Sequence, residues 1–451
     1  MASASTPPLH PAEFAPHPTQ LRNPKLYTID EHPLLKPEIL AVVFSFLAEK
    51  SNDTDNNDDD NGDSDGNDND RNIWSLAQAT EVCRQWWEEG HHLLWRKIQV
   101  RDLLFYVRDP ARRSYYASLV EELVFEPDDH VLSTTRMANA SLSFPRLQSV
   151  RLNETNILNV RHENLSSLLT STLRLLSFHG DAEVYHPTRD RDDQVLFNSL
   201  LARCGSLVTL KFDTWCHDSK WPTNLSIVER STSIEHLTLG YVLERIMANH
   251  PPDDTLHKLF NKPRLVSLSF PQGVDVSQTA VDTLLATMGR KWLLPSLRLL
   301  RKPGFDCGMA AARLIGCLPN LVDLSFSITR WDIDLEYAFI AVGMLENLQT
   351  LDMDINIYNG DLDGSWLIHL AGLKHLKWLW LEFDEPGTIS LTGTQLAYFL
   401  TGLPKLEILS LAFGSPVVSC LPVEKTTIER AIARIATVNI EDMTFVTQEA
   451  P

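Results

Sequence analysis

A six-residue pattern with apolar residues at its first, fourth and sixth positions recurs along most of the chain. It reads VEELVF from Val120, LVDLSF from Leu321 and LEILSL from Leu406. The twelve copies begin at Val120, Leu147, Leu173, Leu207, Ile234, Leu265, Leu297, Leu321, Leu348, Leu376, Leu406 and Ile440. Successive copies begin 24 to 34 residues apart. A period of this length is typical of stacked repeats, in which each unit completes its core against its neighbours.

The pattern predicts a short strand in each unit, and amphipathic helical segments lie between the strands. Two of these segments carry apolar residues at helical spacing, namely Leu396, Phe399, Leu400 and Leu403 in the first and Ile428, Ile432 and Ile435 in the second. Right-handed crossovers make such strands parallel and put the helices on the outside. We therefore expect an α/β solenoid curved into a horseshoe, with parallel inner strands and outer helices. The copy at Leu297 is the weakest, because Lys302 occupies its last apolar position.

This repeat resembles that of leucine-rich repeat proteins, and we assign residues 108–451 to a domain of about twelve such units. The long units look more like the ribonuclease-inhibitor-like or cysteine-containing subtypes than the short extracellular one. The asparagine expected after the strand is mostly missing, although Asn356 matches it in one unit.

The segment LLKPEILAVVFSFL, residues 34–47, predicts a helix with large apolar side chains on nearly every side. An ordinary surface helix has a single apolar stripe. Each large side chain left in water forfeits about 1.5–3 kcal/mol, so a second surface must cover what the neighbouring helices cannot. That surface belongs either to a partner protein or to the repeats, if the helix is their N-terminal cap.

Together with a later VCRQWW and LLW, this segment resembles the F-box, which opens on Leu-Pro-x-Glu-Ile/Leu-Leu. Lys36 replaces the first proline of that opening, and Pro37 matches a common variant at the next position. The resemblance implies a small all-α domain that docks on the SKP-type adaptor protein of SKP–cullin–F-box ubiquitin ligases. The adaptor-binding residues that we infer from it are Leu35, Pro37, Glu38, Ile39, Leu40, Val43, Phe44, Leu47, Val82, Cys83, Trp86 and Trp95.

An acidic insert interrupts the F-box match. Residues 51–72 hold nine Asp and one Arg, which is −8 of the net charge of −19 and leaves −11 for the rest of the chain. Its spacing partly fits a calcium-binding loop, but neither register provides the glutamate expected at the twelfth position. We therefore expect a disordered insert at 49–72 within an F-box domain at 31–107, after a disordered tail at 1–30. The acidic balance disfavours nucleic-acid or anionic-membrane binding.

Target binding is expected on the exposed strand positions, the third and fifth of each unit. Two neighbouring tryptophans occupy these positions in one unit, and aromatic anchors dominate the energetics of protein interfaces. The candidate residues are Trp378, Trp380, Asp323, Asp352, Asp354, Arg301 and Lys211, with Glu382 and Asp384 nearby. We expect them to hold an apolar or basic peptide segment. Alternatively, the two tryptophans pack against a C-terminal loop such as FGSPVVSC, residues 413–420.

No catalytic motif, glycine-rich phosphate loop or metal-ligand spacing is found, so we expect neither an enzyme nor a cofactor, metal or small-molecule substrate. The resemblance implies a substrate-recognition subunit that contacts a cullin through the adaptor and marks a target protein for ubiquitin-dependent degradation. The alternatives are a scaffold outside any ligase and an adaptor-bound protein outside ubiquitin transfer. The lack of a signal-peptide core, of a membrane-spanning run and of paired cysteine spacing predicts a cytoplasmic or nuclear protein.

Overall fold

The computed structural model describes residues 91–125, 141–153, 168–179, 203–215, 232–242, 253–270, 275–288, 293–329, 334–356, 362–384, 389–412, 417–440 and 444–447. It is an α/β structure of parallel strands and helices, and it divides into two compact units, Met1–Leu176 and Ser177–Pro451. The tail at 1–30, the F-box helices up to residue 90 and the acidic insert at 49–72 lie outside the described residues.

The first unit contains three parallel strands, β1 (Lys97–Gln99), β2 (Glu122–Phe125) and β3 (Ser149–Asn153). A π-helix (Asp102–Tyr106) and α1 (Pro110–Ala117) connect β1 to β2. Asp109 caps α1 by accepting a hydrogen bond from the Ala111 N–H, and Pro110 occupies the first turn, where no N–H is needed. The repeat pattern did not predict β1, which lies inside the range assigned to the F-box domain.

A further strand, β4 (Leu175–His179), lies across the boundary between the units. The larger sheet of the second unit then contains β5 (Thr209–Trp215), β6 (His236–Val242), β7 (Ser267–Ser269), β9 (Leu299–Phe305), β10 (Asp323–Ile328), β11 (Thr350–Asn356), β13 (Trp378–Asp384), β15 (Ile408–Ala412) and β17 (Thr437–Ile440). These strands pair in that order and are parallel. A short strand, β8 (Asp275–Val276), also pairs with β9.

A second, four-stranded parallel sheet runs through the last repeats. It contains β12 (Leu362–Asp363), β14 (Ile389–Thr392), β16 (Val417–Cys420) and β18 (Thr444–Thr447), in that order. Each of these repeats therefore supplies one strand to each sheet. The sequence pattern predicted only the strands of the larger sheet.

The helices of the second unit follow the strands along the chain. They are α2 (Asp253–Phe260), α3 (Gln278–Met288), α4 (Gly308–Ile315), α5 (Leu335–Gly343), a 3₁₀ helix (Gly364–Gly372), α6 (Gly393–Gly402) and α7 (Pro422–Ala433). From α4 onward each helix packs on the next. The helical segments predicted at 394–403 and 426–436 are found as α6 and α7, although α7 begins earlier than predicted and ends at Ala433, before Ile435.

Glycine allows close helix packing at one of these contacts. A Cβ atom added to Gly343, the last residue of α5, would lie 2.2 Å from the carbonyl oxygen of His369 in the 3₁₀ helix. The same addition to Gly372 would meet nothing closer than the carbonyl oxygen of Gly343 at 3.5 Å. Of these two glycines, Gly343 has no room for a side chain and Gly372 does; Gly308 and Gly402 are blocked in the same way by backbone atoms of Asp334 and Ala371.

The core of the larger sheet consists of the predicted apolar positions. Leu324, Leu351, Leu379 and Leu409 lie side by side on four successive strands, and each is at most 1% exposed. The first and sixth positions of the same units, such as Leu321 and Phe326, are buried as well. The alternation of the strand pleat turns the residues between them to the opposite face.

Two local expectations were wrong. Lys302 does not occupy a core position, because β9 contains a bulge between its pairings Arg301–Ser325 and Gly304–Ser327. Lys302 has a φ of 58° and is exposed, and the buried Phe305 takes the apolar place opposite Ile328. In the last unit the strand of the larger sheet is Thr437–Ile440, which precedes the pattern at Ile440.

Candidate functional site

The strand register aligns the candidate residues of the larger sheet in rows. One row contains Lys211, Thr238, Ser269, Arg301, Ser325, Asp352, Trp380, Ser410 and Asn439, each opposite the next. Strands lie about 4.8 Å apart, so Asp352 and Trp380 are immediate neighbours. Lys211 lies five strands from Asp352, about 24 Å away, and does not belong to the same site.

The two predicted tryptophans are on the open face of β13. Trp378 is 53% exposed and Trp380 is 48% exposed, whereas the intervening Leu379 and the following Leu381 are buried. The indole Nε1 of Trp380 donates a hydrogen bond to Oε2 of Glu382 at 3.3 Å. Both rings therefore leave about half of their surface to a ligand.

Carboxylates surround Trp380. Asp352 lies opposite it on β11, and Asp354 lies opposite Glu382, so these four residues form a two-by-two block. We call Asp352, Asp354, Trp378, Trp380 and Glu382 the acidic–aromatic face. Three of its five side chains are acidic.

The pKa of the Asp352 carboxyl group is raised by its surroundings. The Ser325 hydroxyl donates a hydrogen bond to its Oδ2 at 2.9 Å. The residue as a whole is exposed, but partial burial of its carboxyl group raises the pKa, and the nearby charges of Glu382 and Asp323 raise that pKa further. The Ser325 hydrogen bond and the Lys302 charge act in the opposite direction without cancelling this rise in pKa.

Arg301 and Asp323 form their own ion pair next to the face. The Arg301 guanidinium lies 2.7 Å from Oδ2 of Asp323, diagonally across β9 and β10. The four carboxylates Asp323, Asp352, Asp354 and Glu382 against the two cations Arg301 and Lys302 give −4 + 2 = −2. The region thus keeps a negative balance with Arg301 already engaged.

The structure brings most of the predicted target-binding residues together. Asp352, Asp354, Trp378 and Trp380 share the acidic–aromatic face, and Asp323 with Arg301 lies beside it. Sequence reasoning missed Lys302, which it placed in the core. The signal that marks its true position is the following Pro303-Gly304, since this dipeptide is typical of a break in a strand.

The loop named in the alternative packing of the tryptophans lies only partly within the described residues. Val417–Cys420 forms β16 in the smaller sheet, and residues 413–416 lie outside the described residues. Within the described structure both indoles keep about half of their surface exposed.

Of the predicted adaptor-binding residues, only Trp95 lies within the described residues. Its indole stacks on the ring of Tyr116 in α1, with centroids 4.0 Å apart and an angle of 5° between the planes. Beside this pair, His91 Nε2 and the Tyr115 hydroxyl are 2.7 Å apart. One ring face of Trp95 is therefore covered by its own chain, which the F-box resemblance did not indicate.

Among the described residues there is no group of three or more His, Cys, Asp or Glu side chains placed to hold a metal ion. The helices in the described part of the chain are all too short or too polar to cross a membrane. Scanned against protein-family models and searched against curated proteins, the chain has no match.

Proposed function

We propose that this chain is the substrate-recognition subunit of an SKP–cullin–F-box ubiquitin ligase. An F-box within residues 31–107 binds the adaptor, and a leucine-rich repeat domain at 108–451 binds the target. The observation that carries the proposal is the continuity of the two motifs. The Leu94–Trp95 end of the F-box match is followed at once by β1, the first strand of a parallel strand–helix array.

The architecture fits a binding role. The larger sheet of the second unit exposes aligned rows of polar and aromatic side chains, and its opposite face is buried. Catalysis then belongs to other subunits of the ligase. The chain acts by proximity, since tethering a target beside the transfer machinery raises its effective concentration.

The stacking of Trp95 on Tyr116 supports a rigid connection at the end of the F-box match. A rigid connection keeps the bound target close to the transfer machinery, whereas a flexible connection would lower the effective concentration of the target there. Trp95 in this role links the F-box to the repeats, in addition to the adaptor contact that the resemblance implies.

The test is binding of the purified chain to a purified SKP-type adaptor protein. Leu40→Asp puts a charge on the predicted docking helix and is expected to abolish binding. Ser45→Asp adds the same charge to the same helix at one of its few polar positions, and it is expected to bind like the wild type. Unfolding of the repeats in urea serves as the control that both variants keep their fold. Undiminished adaptor binding by Leu40→Asp would refute the assignment.

Affinity purification of the tagged chain followed by mass spectrometry separates the proposal from its two alternatives. Recovery of adaptor and cullin together supports the ligase subunit. Adaptor without cullin indicates a role outside ubiquitin transfer, and recovery of neither indicates a repeat scaffold that belongs to no ligase.

A further inference from the structure

We infer that the acidic–aromatic face binds an arginine side chain of a basic peptide segment, with the guanidinium stacked on the indole of Trp380 between Asp352 and Glu382. This inference deepens the proposed function, in that the segment would belong to the ligase target. The binding chemistry itself does not depend on the adaptor.

The first support is the exposed aromatic surface. Trp378 and Trp380 are 53% and 48% exposed on neighbouring same-side positions of one strand. Large aromatic rings grouped on an open sheet face are typical of interaction sites, where they act as anchors. The exposed indoles therefore favour a ligand with a flat or apolar group that can stack on them.

The second support is charge. Asp352 accepts its hydrogen bond from the Ser325 hydroxyl and Glu382 accepts its hydrogen bond from the Trp380 indole, and both donors are neutral. Among the described residues neither carboxylate forms an ion pair: the neighbouring Arg301 is bound to Asp323, and Lys302 acts on Asp352 through its charge without pairing with it. A cation on this face thus meets two negative charges without displacing an existing partner. An anionic segment meets repulsion.

The third support is spacing. Asp352 lies one strand from Trp380, about 4.8 Å between backbones, and Glu382 lies two residues along the same strand. A cation is attracted to an indole when it lies within about 6 Å of the ring centroid. A group stacked on Trp380 is therefore within reach of the carboxylates on two of its sides.

These constraints favour arginine over lysine. A guanidinium is planar, so it can stack on the ring and direct its N–H groups to a carboxylate at the ring edge at the same time. The lysine ammonium is compact and strongly hydrated, and it satisfies only one of these contacts well. We therefore expect a lysine side chain to bind this face more weakly than an arginine side chain.

The experiment is a fluorescence or calorimetric titration of the full chain with three capped peptides of the sequence Gly-X-Gly-X-Gly. X is arginine, lysine or citrulline, and citrulline keeps the shape of arginine without its charge. The arginine peptide is expected to bind at least about tenfold more tightly than the citrulline peptide, with lysine between them. Higher salt is expected to weaken the binding, because the contacts are exposed to solvent.

Variants locate the binding on the protein. Trp380→Ala and Asp352→Asn are each expected to weaken binding of the arginine peptide by about two- to fivefold. Two matched controls on helices, Tyr398→Ala with its 62% exposed ring and the exposed Glu429→Gln, are expected to leave the binding unchanged. Urea unfolding of each variant separates loss of binding from loss of fold.

Equal affinity for the arginine and citrulline peptides would overturn the inference, and so would unchanged binding by Trp380→Ala and Asp352→Asn. Leu40→Asp distinguishes this failure from failure of the proposed function. It removes the predicted adaptor contact and is expected to leave the peptide titration as it is in the wild type.

Discussion

Replacement of Gly343 by alanine tests the close contact between successive repeats. The added Cβ would lie 2.2 Å from the carbonyl oxygen of His369 and 3.0 Å from its carbonyl carbon. Ordinary contacts of this kind begin near 3.4 Å. Both atoms belong to the backbone of the 3₁₀ helix, so no side-chain rotation relieves the clash and the two helices must move apart.

The expected loss follows from two opposing terms. Alanine favours the helix over glycine by about 0.5–1 kcal/mol. Forcing an extra methyl group into a packed contact costs about 1–3 kcal/mol. The net expectation is a destabilisation of about 1–2 kcal/mol.

Gly372→Ala is the matched control. Its Cβ would meet only the carbonyl oxygen of Gly343 at 3.5 Å, which is an ordinary contact. Alanine there restricts the unfolded chain, so stability is expected to stay the same or rise by up to about 1 kcal/mol.

Urea unfolding followed by far-ultraviolet circular dichroism measures the difference between the two variants. Because a repeat array can unfold in stages, the comparison is made between midpoints of the transitions. A midpoint for Gly343→Ala equal to that of Gly372→Ala would refute the close approach of α5 to the 3₁₀ helix.

Three further predictions concern stability. Lys302→Gly is expected to raise the free energy of unfolding by about 0.5–1 kcal/mol, because a φ of 58° strains any residue with a Cβ; a lower urea midpoint than that of the wild type would argue against the bulge. Glu424→Gln tests the hydrogen bonds that the Thr394 hydroxyl and Leu421 N–H donate to this carboxylate, which lower its pKa from 4.5. Because the pKa of Glu424 is lower in the folded protein than in the unfolded chain, its carboxylate stabilises the fold above pH 4.5, and this stabilisation is lost as the pH falls through the folded-state pKa. Glu424→Gln should therefore be less stable than the wild type at pH 7 and equally stable in acid. Phe339→Ala empties a fully buried site beside Trp366 and should cost about 3–5 kcal/mol by the same urea assay, whereas a loss below 1 kcal/mol would contradict the packing.

The strands of the larger sheet could be predicted because their apolar residues face a shared core. Leu351, Met353 and Ile355 alternate with polar residues over the whole of β11. The smaller sheet left no such signal, because β14 has four residues and β12 has two. Two to four residues are too few to show an alternation that differs from chance.

The candidate site could be predicted in part for the same reason. Asp352 and Trp380 hold the same position in successive repeats, and equal positions become neighbours when parallel strands stack in register. The ion pair of Arg301 with Asp323 could not be predicted, since it joins different repeat positions diagonally. The exposure of Lys302 could not be predicted from the repeat either, because it depends on the bulge in β9. A bulge is a property of the local backbone, and apolar spacing does not report it.

The pairing of β11 with β13 is unbroken over seven residues, from Thr350 opposite Trp378 to Asn356 opposite Asp384. Substitutions at alternate positions of these strands therefore have different consequences. Those at Leu351 or Leu379 disturb the core, whereas those at Asp352 or Trp380 alter the exposed face. The exposed surface can thus be changed one residue at a time with little effect on the stability of the sheet.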